Sequence, residues 1–173
     1  TNCESTSKSS LSEYKSTLQA VSDLSKEFVK TAVFVFGGDG FAYDIGFGGI
    51  DHVIASGTDI NIVIFDTEGY ANTSGQVSKA TPIGAVQKFA SDGRRRNKKS
   101  LAEMAMSYGD VYVATVAVGA NPAQSVKAFR EAEAYPGPSL VLCYSPCIEH
   151  KIKYPRGLSR LSEEMTLAVN TGY

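Results

Sequence analysis

A glycine-rich stretch with one acid near its centre, Gly37-Gly38-Asp39-Gly40, has the residue types that bind a phosphate and a metal ion together. Glycines let backbone N–H groups approach an anion closely, and the start of a following helix adds a favourable dipole. A carboxylate that faces a phosphate would repel it unless a cation lies between the two. Asp39 therefore indicates Mg²⁺, a hard ion that accepts one or two protein oxygens together with phosphate oxygens.

A second polar loop, Asp66-Thr67-Glu68-Gly69, contains further oxygen ligands for such an ion. The candidates are the hydroxyl of Thr67 and the main-chain carbonyl of Gly69. Thr67 follows Asp39 by 67 − 39 = 28 residues, and this spacing resembles that of thiamine-diphosphate enzymes as a group. The alternative is a tight turn between strand and helix, in which Asp39 is a solvated helix cap.

A dinucleotide site is another hypothesis for a glycine-rich loop, but the spacing of the glycines argues against it. Counted from Gly38, the fingerprint G-x-G-x-x-G fails at Tyr43. Counted from Gly46, it fails at Asp51. An acid at the end of the second predicted strand, Asp66, could bind a ribose hydroxyl, but the glycines that would hold the diphosphate are missing.

Four apolar runs of strand length are the elements that must position these loops. A continuous run of this kind is typical of a strand buried on both faces of a parallel sheet. The predicted strands are Ala32–Phe36, Asn61–Phe65, Val111–Val116 and Ser139–Cys143. The two polar loops follow the first and second strands, at the carboxyl ends where parallel sheets bind ligands. Residues 66–97 show little periodicity, and so long a loop in a compact domain is usually functional.

Helical patterns separate the strands, which predicts an α/β fold with a parallel sheet flanked by helices. Ser10-Leu11-Ser12-Glu13 is typical of a capping box and predicts a helix from Ser10 to about Lys30. Asn121 as cap and Pro122 in the first turn predict a helix that continues to Ala134. The other predicted helices are Tyr43–Ala55 and Ser100–Tyr108.

Length and composition limit the classes of function. At 173 residues the chain has the size of one domain, and its 20% of charged residues is ordinary for a globular protein. A net charge of −1 gives no argument for nucleic acid or a membrane surface as a partner. No apolar run approaches the roughly 20 residues of a membrane span. Three cysteines, an odd number, argue against a secreted disulfide framework and indicate a reducing compartment.

Several blocks of the sequence match one family of thiamine-diphosphate enzymes. Gly37–Gly46 and Gly48–Val53 resemble the thiamine-diphosphate domain of pyruvate:ferredoxin (flavodoxin) oxidoreductase. Asp66–Gln76 is similar to that family's second cofactor loop. Shorter matching blocks are Ser78–Pro82, Arg130–Ser139 and Pro146–His150. The resemblance covers the chain from about Lys30 to the C-terminus.

The resemblance implies a reaction and a set of partners. The reaction is the oxidative decarboxylation of pyruvate with coenzyme A to acetyl-CoA and CO₂, with electrons passing through iron–sulfur clusters to ferredoxin or flavodoxin. Such an enzyme would be intracellular, in the cytoplasm or an energy organelle, and the intact protein would be a homodimer. Residues 1–173 would form a single domain that binds thiamine diphosphate and Mg²⁺ within a much longer multidomain chain.

The resemblance also implies the metal ligands. Asp39 and Thr67 would bind Mg²⁺ through side-chain oxygens, and Gly69 would bind it through its carbonyl. Gly69 replaces a residue that is usually β-branched in the family, Phe41 stands in place of Trp, and Ser74 replaces a Gly. Because the ligand at position 69 is a carbonyl, coordination does not need the missing side chain, although glycine gives the loop more conformational freedom.

The remaining cofactor contacts follow from the same resemblance. Gly38 and Gly40 would hold the diphosphate through backbone groups, and Asn72 would lie near the reacting end of the cofactor. The family's active site also needs a pyrimidine-binding domain with an activating glutamate, and no part of this sequence matches it. We therefore expect the isolated chain to bind the cofactor weakly, if at all, and to lack turnover.

One cysteine has a candidate role in electron transfer. Cys147 resembles one ligand of the family's [4Fe–4S] cluster nearest the thiamine, and such a cluster needs four thiolates. Cys3 and Cys143 do not match the other ligands. Cys143 lies on a predicted buried strand, where a free thiol behaves as a small hydrophobe. The chain alone is therefore not expected to hold the cluster, and a structural thiol is the alternative for Cys147.

Two alternatives to a pyruvate oxidoreductase stay open. One is a thiamine-diphosphate enzyme that acts on a different 2-oxo acid, and the other is a non-catalytic module that keeps the fold for interaction or assembly. The presence of Asp39, Thr67 and Asn72 favours an enzyme over the module. Because the chain lacks an initiator Met and ends at Tyr173 without a tail, it is interpreted as a processed or excised segment.

Overall fold

The computed structural model describes residues 2–27, 30–150, 152 and 157–173. The chain divides into two compact units, Thr1–Thr31 and Ala32–Tyr173. The first unit contains one long helix, α1 (Asn2–Leu24), followed by a 3₁₀ turn at Ser25–Glu27. The second unit contains the strands and the other helices.

Helix α1 begins earlier and ends earlier than the sequence predicts. It begins at Asn2, so Ser10 lies inside the helix and the predicted cap at Ser10 is wrong. No Gly or Pro lies before Ser10 to stop the helix, and the cost of Ser or Thr in a helix interior is small. The helix ends at Leu24, so the predicted end near Lys30 is also wrong. Residues 28 and 29 lie outside the described part of the chain.

A parallel sheet is the framework of the second unit. Its strands are β1 (Phe34–Gly38), β2 (Asn61–Asp66), β3 (Tyr112–Val116) and β4 (Ser139–Tyr144). Their order across the sheet is β1-β2-β4-β3. In the register, Asn61 pairs with both Phe34 and Ser139, so the strands run level and their carboxyl ends lie at the same edge. The predicted parallel α/β fold is confirmed, with β1 shifted by two residues, β2 and β4 longer by one residue, and β3 shorter by one residue than predicted.

Helices cover apolar side chains on both faces of the sheet. On one face, side chains of β2 and β4 pack with α2 (Phe47–Ala55) and α3 (Leu101–Met106), and the buried strand residues are Ile62, Ile64, Leu140 and Leu142. On the other face, side chains of β2, β3 and β4 pack with α4 (Pro122–Ala134), and they are Val63, Val116, Val141 and Cys143. Burial of these side chains is the main favourable contribution to folding.

Strand β1 is less buried than the sequence predicts. It lies at one edge of the sheet, and the side chain of Phe36 is 61% exposed. Phe36 stacks with Phe65 of β2, with ring centroids 6.1 Å apart. The prediction that β1 is buried on both faces is wrong, because the helix on this face, α4, contacts β3 and β4 at the other side of the sheet.

The predicted helix at Asn121 is confirmed, whereas the helix after the first loop differs from its prediction. Helix α4 begins at Pro122, and the Asn121 side chain accepts a hydrogen bond from the Gln124 N–H at 3.0 Å. In place of the predicted helix Tyr43–Ala55, the structure has a π-helical segment, Gly40–Ile45, followed by helix α2, which ends at Ala55 as predicted. A single residue, Gly46, separates the two.

Helices α3 and α5 (Leu161–Asn170) were only partly predictable from the sequence. Helix α3 is shorter than the predicted Ser100–Tyr108, because Ser100 is its cap and Gly109, at φ 87°, lies in the turn beyond its end. The fifth helix, α5, has no counterpart in the prediction. Glu163 in its first turn is a favourable residue at a helix start. None of the helices in the described part of the chain has the length and apolar character of a membrane span.

Candidate metal and diphosphate site

Asp39 follows β1 directly at the carboxyl edge of the sheet, and it is 4% exposed. At this point the backbone passes from the strand into the π-helical segment Gly40–Ile45. Open space lies where a Cβ on Gly38 would be, whereas a Cβ on Gly40 would overlap the ring of Tyr70. The absence of side chains thus leaves one backbone position open to a ligand and lets an aromatic ring pack on the other.

The three predicted metal ligands lie together. The Thr67 hydroxyl is 2.9 Å from Asp39 Oδ1 and 3.0 Å from the carbonyl oxygen of Gly69, so both oxygens lie within hydrogen-bonding distance of its single proton. Neighbouring oxygens of an octahedral Mg²⁺ site, each about 2.1 Å from the ion, are about 3.0 Å apart. The two separations, which are also those of ordinary hydrogen bonds, are compatible with this value. The donor set of a carboxylate, a hydroxyl and a carbonyl therefore fits a hard cation.

A residue with no role in the sequence prediction, Ser78, completes the surroundings of Asp39. Ser78 Oγ donates to Asp39 Oδ2 at 2.8 Å and accepts the Ala80 N–H at 3.0 Å. Both oxygens of the carboxylate thus accept hydrogen bonds from neutral hydroxyls, the other being that of Thr67. Asp39 belongs to none of the ion pairs found among the described residues. Ser78 lies in one of the sequence blocks that carry the family resemblance.

The electrostatics of the first loop favour a cation. Burial raises the pKa of the Asp39 carboxyl above its ordinary value, and the hydrogen bonds from Ser78 and Thr67 oppose this rise only in part. Repulsion from Asp66 adds to it. A buried carboxylate without a positive partner is unfavourable. A metal ion beside Asp39 would relieve this cost.

The second loop is a tight turn that begins where β2 ends. Oδ1 of Asp66 accepts the Glu68 N–H at 3.0 Å, and Thr81 Oγ1 donates to the Glu68 carbonyl at 2.7 Å. Glu68 has a φ of 61°, in the left-handed region that favours glycine. The turn directs the Thr67 hydroxyl and the Gly69 carbonyl toward the first loop.

A network of charged and aromatic residues lies beside this turn. Lys98 Nζ is 2.7 Å from Asp66 Oδ2 and 3.1 Å from Glu68 Oε1. The Tyr43 hydroxyl donates to the same Asp66 oxygen at 2.6 Å, and Lys98 also donates to the Tyr173 hydroxyl at 3.2 Å. Desolvation and the nearby carboxylates raise the pKa of Tyr43, which therefore stays neutral. Nothing in the sequence pattern predicts this network.

The other predicted residues lie apart from the three ligands. Asn72 is exposed in the turn that follows Gly69, and Cys147 is half-buried in the segment after β4. Cys143 is buried within β4, and burial raises the pKa of its thiol to about 11. Among the described residues, no group of three or more His, Cys, Asp or Glu is arranged to hold a metal ion. The roles of Asn72 and Cys147 stay predictions.

The sequence matches a family of cofactor-binding domains. Residues 21–143 match the family described as thiamine pyrophosphate enzyme, C-terminal TPP binding domain. The chain belongs to this family. The parallel sheet with its two loops at the carboxyl edge is therefore a thiamine-diphosphate-binding fold, as the sequence predicts.

Curated relatives point to one group within that class. The chain is 57% identical over 146 residues to pyruvate-flavodoxin oxidoreductase of Klebsiella pneumoniae, which covers 84% of this chain and 12% of that protein. It is 58% identical over 140 residues to the mitochondrial pyruvate dehydrogenase (NADP⁺) of Euglena gracilis, which covers 81% of this chain and 8% of that protein. The chain thus spans a small part of these relatives, and the resemblance inferred from the sequence is confirmed.

A solved structure shares the fold. It is 2-oxoglutarate:ferredoxin oxidoreductase from Magnetococcus marinus with 2-oxoglutarate, coenzyme A and succinyl-CoA bound. The similarity has a TM-score of 0.61 at 25% sequence identity, over 68% of this chain and 40% of that chain. The arrangement of strands and helices is therefore shared with an enzyme that oxidises a 2-oxo acid.

Proposed function

We propose that this domain binds Mg²⁺ and, through it, the diphosphate of thiamine diphosphate in an enzyme that oxidatively decarboxylates pyruvate. The proposed metal ligands are Asp39, Thr67 and Gly69. The observation that carries the proposal is the position of Thr67 Oγ1, which lies 2.9 Å from Asp39 Oδ1 and 3.0 Å from the carbonyl oxygen of Gly69. Membership of a TPP-binding family supports the identity of the cofactor.

Three further residues complete the proposed cofactor contacts. Open space in front of Gly38 lets a diphosphate oxygen approach its backbone, because no side chain intervenes. Gly40 is the first residue of the π-helical segment, and its backbone is proposed to contact the diphosphate as well. Asn72 is exposed three positions after Gly69, and we place it near the reacting end of the cofactor.

For the whole enzyme, we propose the conversion of pyruvate and coenzyme A to acetyl-CoA and CO₂, with ferredoxin or flavodoxin as electron acceptor. The relatives named for pyruvate and flavodoxin support this assignment. Thiamine diphosphate supplies the nucleophilic carbon and the electron sink for decarboxylation. The residues of this domain hold its diphosphate end and keep the metal in place.

The iron–sulfur part of the proposal concerns Cys147. We propose it as one ligand of a [4Fe–4S] cluster in the intact protein, with the other three thiolates supplied from elsewhere. Its half-buried position after β4 lies beyond the carboxyl edge of the sheet, the edge that carries both cofactor loops. We propose a homodimer as the intact enzyme.

A second candidate function is oxidation of a different 2-oxo acid, and the similarity to 2-oxoglutarate:ferredoxin oxidoreductase favours it. An assay of the full-length enzyme that carries this domain distinguishes the two candidate functions. The enzyme is supplied with coenzyme A, methyl viologen and either pyruvate or 2-oxoglutarate. We expect viologen reduction with pyruvate. Reduction with 2-oxoglutarate alone would support the second candidate, and no reduction with either would favour a non-catalytic module.

The metal site is tested by Thr67→Val in the same full-length enzyme. Valine keeps the shape of threonine and lacks the oxygen ligand, so the affinity for Mn²⁺ in the presence of thiamine diphosphate should fall by about 100-fold. Thr166→Val is the matched control, because the Thr166 hydroxyl donates only within α5, to the Ser162 carbonyl. Equal Mn²⁺ affinity in Thr67→Val and wild-type enzyme would contradict the assignment.

A further inference from the structure

Glu68 has a backbone conformation that its own side chain disfavours. Its φ of 61° lies in the left-handed region, where a Cβ crowds the following carbonyl oxygen and glycine is preferred. The sequence has a glycine at the next position, Gly69, and not at this one. The left-handed Glu68 must therefore be held by interactions of its own.

Several interactions hold Glu68, among them a hydrogen bond of 3.4 Å from Gln87 Nε2 to its carbonyl. Its N–H donates to Asp66 Oδ1 at 3.0 Å, and its carbonyl accepts from Thr81 Oγ1 at 2.7 Å. Its carboxylate lies 3.1 Å from Lys98 Nζ. Glu68 and Thr81 are both buried, so water competes little for these bonds. Backbone and side chain of Glu68 are thus fixed together.

Lys98 joins two carboxylates that flank Thr67. Its Nζ lies 2.7 Å from Asp66 Oδ2 and 3.1 Å from Glu68 Oε1. The side chains of Asp66 and Glu68 are 7% and 11% exposed, so their mutual repulsion is poorly screened. The ammonium group of Lys98 therefore offsets the repulsion between the two carboxylates on either side of Thr67.

We propose that Lys98 is a positioning residue of the metal site. By bridging Asp66 and Glu68, it holds the turn in the conformation that directs the ligands Thr67 and Gly69 toward the first loop. Lys98 does not touch the metal and acts through the turn, as residues that orient metal ligands generally do. The inference rests on the proposed function, because it concerns the same metal.

The experiment measures the Mn²⁺ affinity of the full-length enzyme by electron paramagnetic resonance in the presence of thiamine diphosphate. Lys98→Met keeps most of the length of the side chain and removes its charge, and the affinity should fall by about 10-fold. The matched control is Lys127→Met, because Lys127 is an exposed residue that pairs with Glu131 on α4 at 3.7 Å. This control should bind Mn²⁺ as the wild type does. The melting temperature of each variant shows whether the fold is retained.

A second background separates positioning from a general structural role. Glu68→Gly removes both the unfavourable left-handed side chain and the carboxylate that Lys98 holds. In this background, Lys98→Met should therefore weaken Mn²⁺ binding by less than about threefold. An equal loss in both backgrounds, or a Kd for Lys98→Met within about twofold of wild type, would overturn the proposal. A wild-type enzyme that binds no Mn²⁺ would instead overturn the proposed function, and this inference with it.

Discussion

Ser78 donates a hydrogen bond of 2.8 Å to Oδ2 of Asp39, across 39 residues of sequence. The two residues belong to different loops that meet at the carboxyl edge of the sheet. Because Thr67 holds the other carboxylate oxygen at 2.9 Å, both oxygens of Asp39 are oriented by the protein itself. The direction of the proposed metal ligand is thus set by contacts within the protein.

Ser78→Ala should weaken the metal site without removing a ligand. Loss of the donor to Asp39 should lower the Mn²⁺ affinity of the full-length enzyme by about 10-fold. It should also lower the free energy of unfolding of the isolated chain by about 1 kcal/mol. Ser107→Ala is the control, because the Ser107 hydroxyl is exposed and donates to the Met104 carbonyl. Identical Mn²⁺ affinity in both variants would show that Ser78 does not orient Asp39.

Asp39→Asn should abolish metal-dependent cofactor binding and yet stabilise the chain without metal. Burial raises the pKa of this carboxyl from its ordinary 3.8, so its ionised form destabilises the folded state at pH values above that range. The gain in the free energy of unfolding should therefore be present at pH 7 and vanish below about pH 4, where both states are protonated. Urea unfolding at several pH values measures it.

Asp44→Asn is the matched control for that experiment. Burial alone would raise the pKa of Asp44, but hydrogen bonds from the Lys79 side chain and N–H hold it below its ordinary value. Its loss removes an ion pair of 2.7 Å. This variant should therefore not gain stability at pH 7. A gain of equal size in both variants would contradict the assignment of the unfavourable charge to Asp39.

Gly38→Ala should separate cofactor binding from stability. A Cβ at Gly38 has no atom within 4 Å in the folded chain, and the same is true of Gly48 in α2. Neither substitution should therefore destabilise the protein, and reduced freedom of the unfolded chain could add about 0.4–1 kcal/mol. Only Gly38→Ala should weaken the binding of thiamine diphosphate, which calorimetry on the full-length enzyme measures. Unchanged binding would exclude close contact between Gly38 and the diphosphate.

Cys143 should make the fold sensitive to alkali. Burial raises the pKa of its thiol from 9.0 to about 11, so between these values the unfolded chain loses this proton while the folded chain keeps it. Stability should therefore fall as the pH rises through this window, by up to about 3 kcal/mol from this group. Cys143→Ala should remove that part of the pH dependence in urea unfolding.

The isolated chain should bind thiamine diphosphate weakly and form no acetyl-CoA from pyruvate. Its proposed contacts are confined to the diphosphate end of the cofactor, and positioning of the reacting end contributes much of the rate of such enzymes. Acetyl-CoA formation, measured with coenzyme A and methyl viologen, tests this. Measurable turnover by the isolated chain would contradict it.

The strands were predictable because their residues carry the signal locally. Continuous apolar runs such as Asn61–Phe65 mark a buried parallel strand wherever they occur. The burial of β1 was not predictable, because Phe36 is apolar whether or not a helix covers it. The start of α1 was missed because Ser10 is a good helix cap and also a tolerable interior residue. Whether a strand lies at the edge of the sheet, and which of several possible residues begins a helix, depend on the whole fold and not on the local sequence.

At the site, the proposed ligands could be predicted from the sequence, whereas Ser78 and Lys98, the residues proposed to orient them, could not. Asp39 and Thr67 stand in loops whose glycines and spacing are recognisable. Ser78 and Lys98 lie in the long segment between β2 and α3, where a serine or lysine is usually a solvated residue. Their contacts with Asp39 and Asp66 depend on how that segment folds back over the sheet. The spacing of apolar residues in the sequence contains no information about the path of this segment.

Strand β1 lies at one edge of the sheet and ends at Gly38, directly before Asp39. An edge strand presents unpaired N–H and C=O groups, which are a template for pairing with another chain. The exposed ring of Phe36, which stacks on Phe65, also lies at this edge. A second chain that paired along β1 would therefore lie next to Gly38 and Asp39, the residues of the proposed diphosphate and metal site.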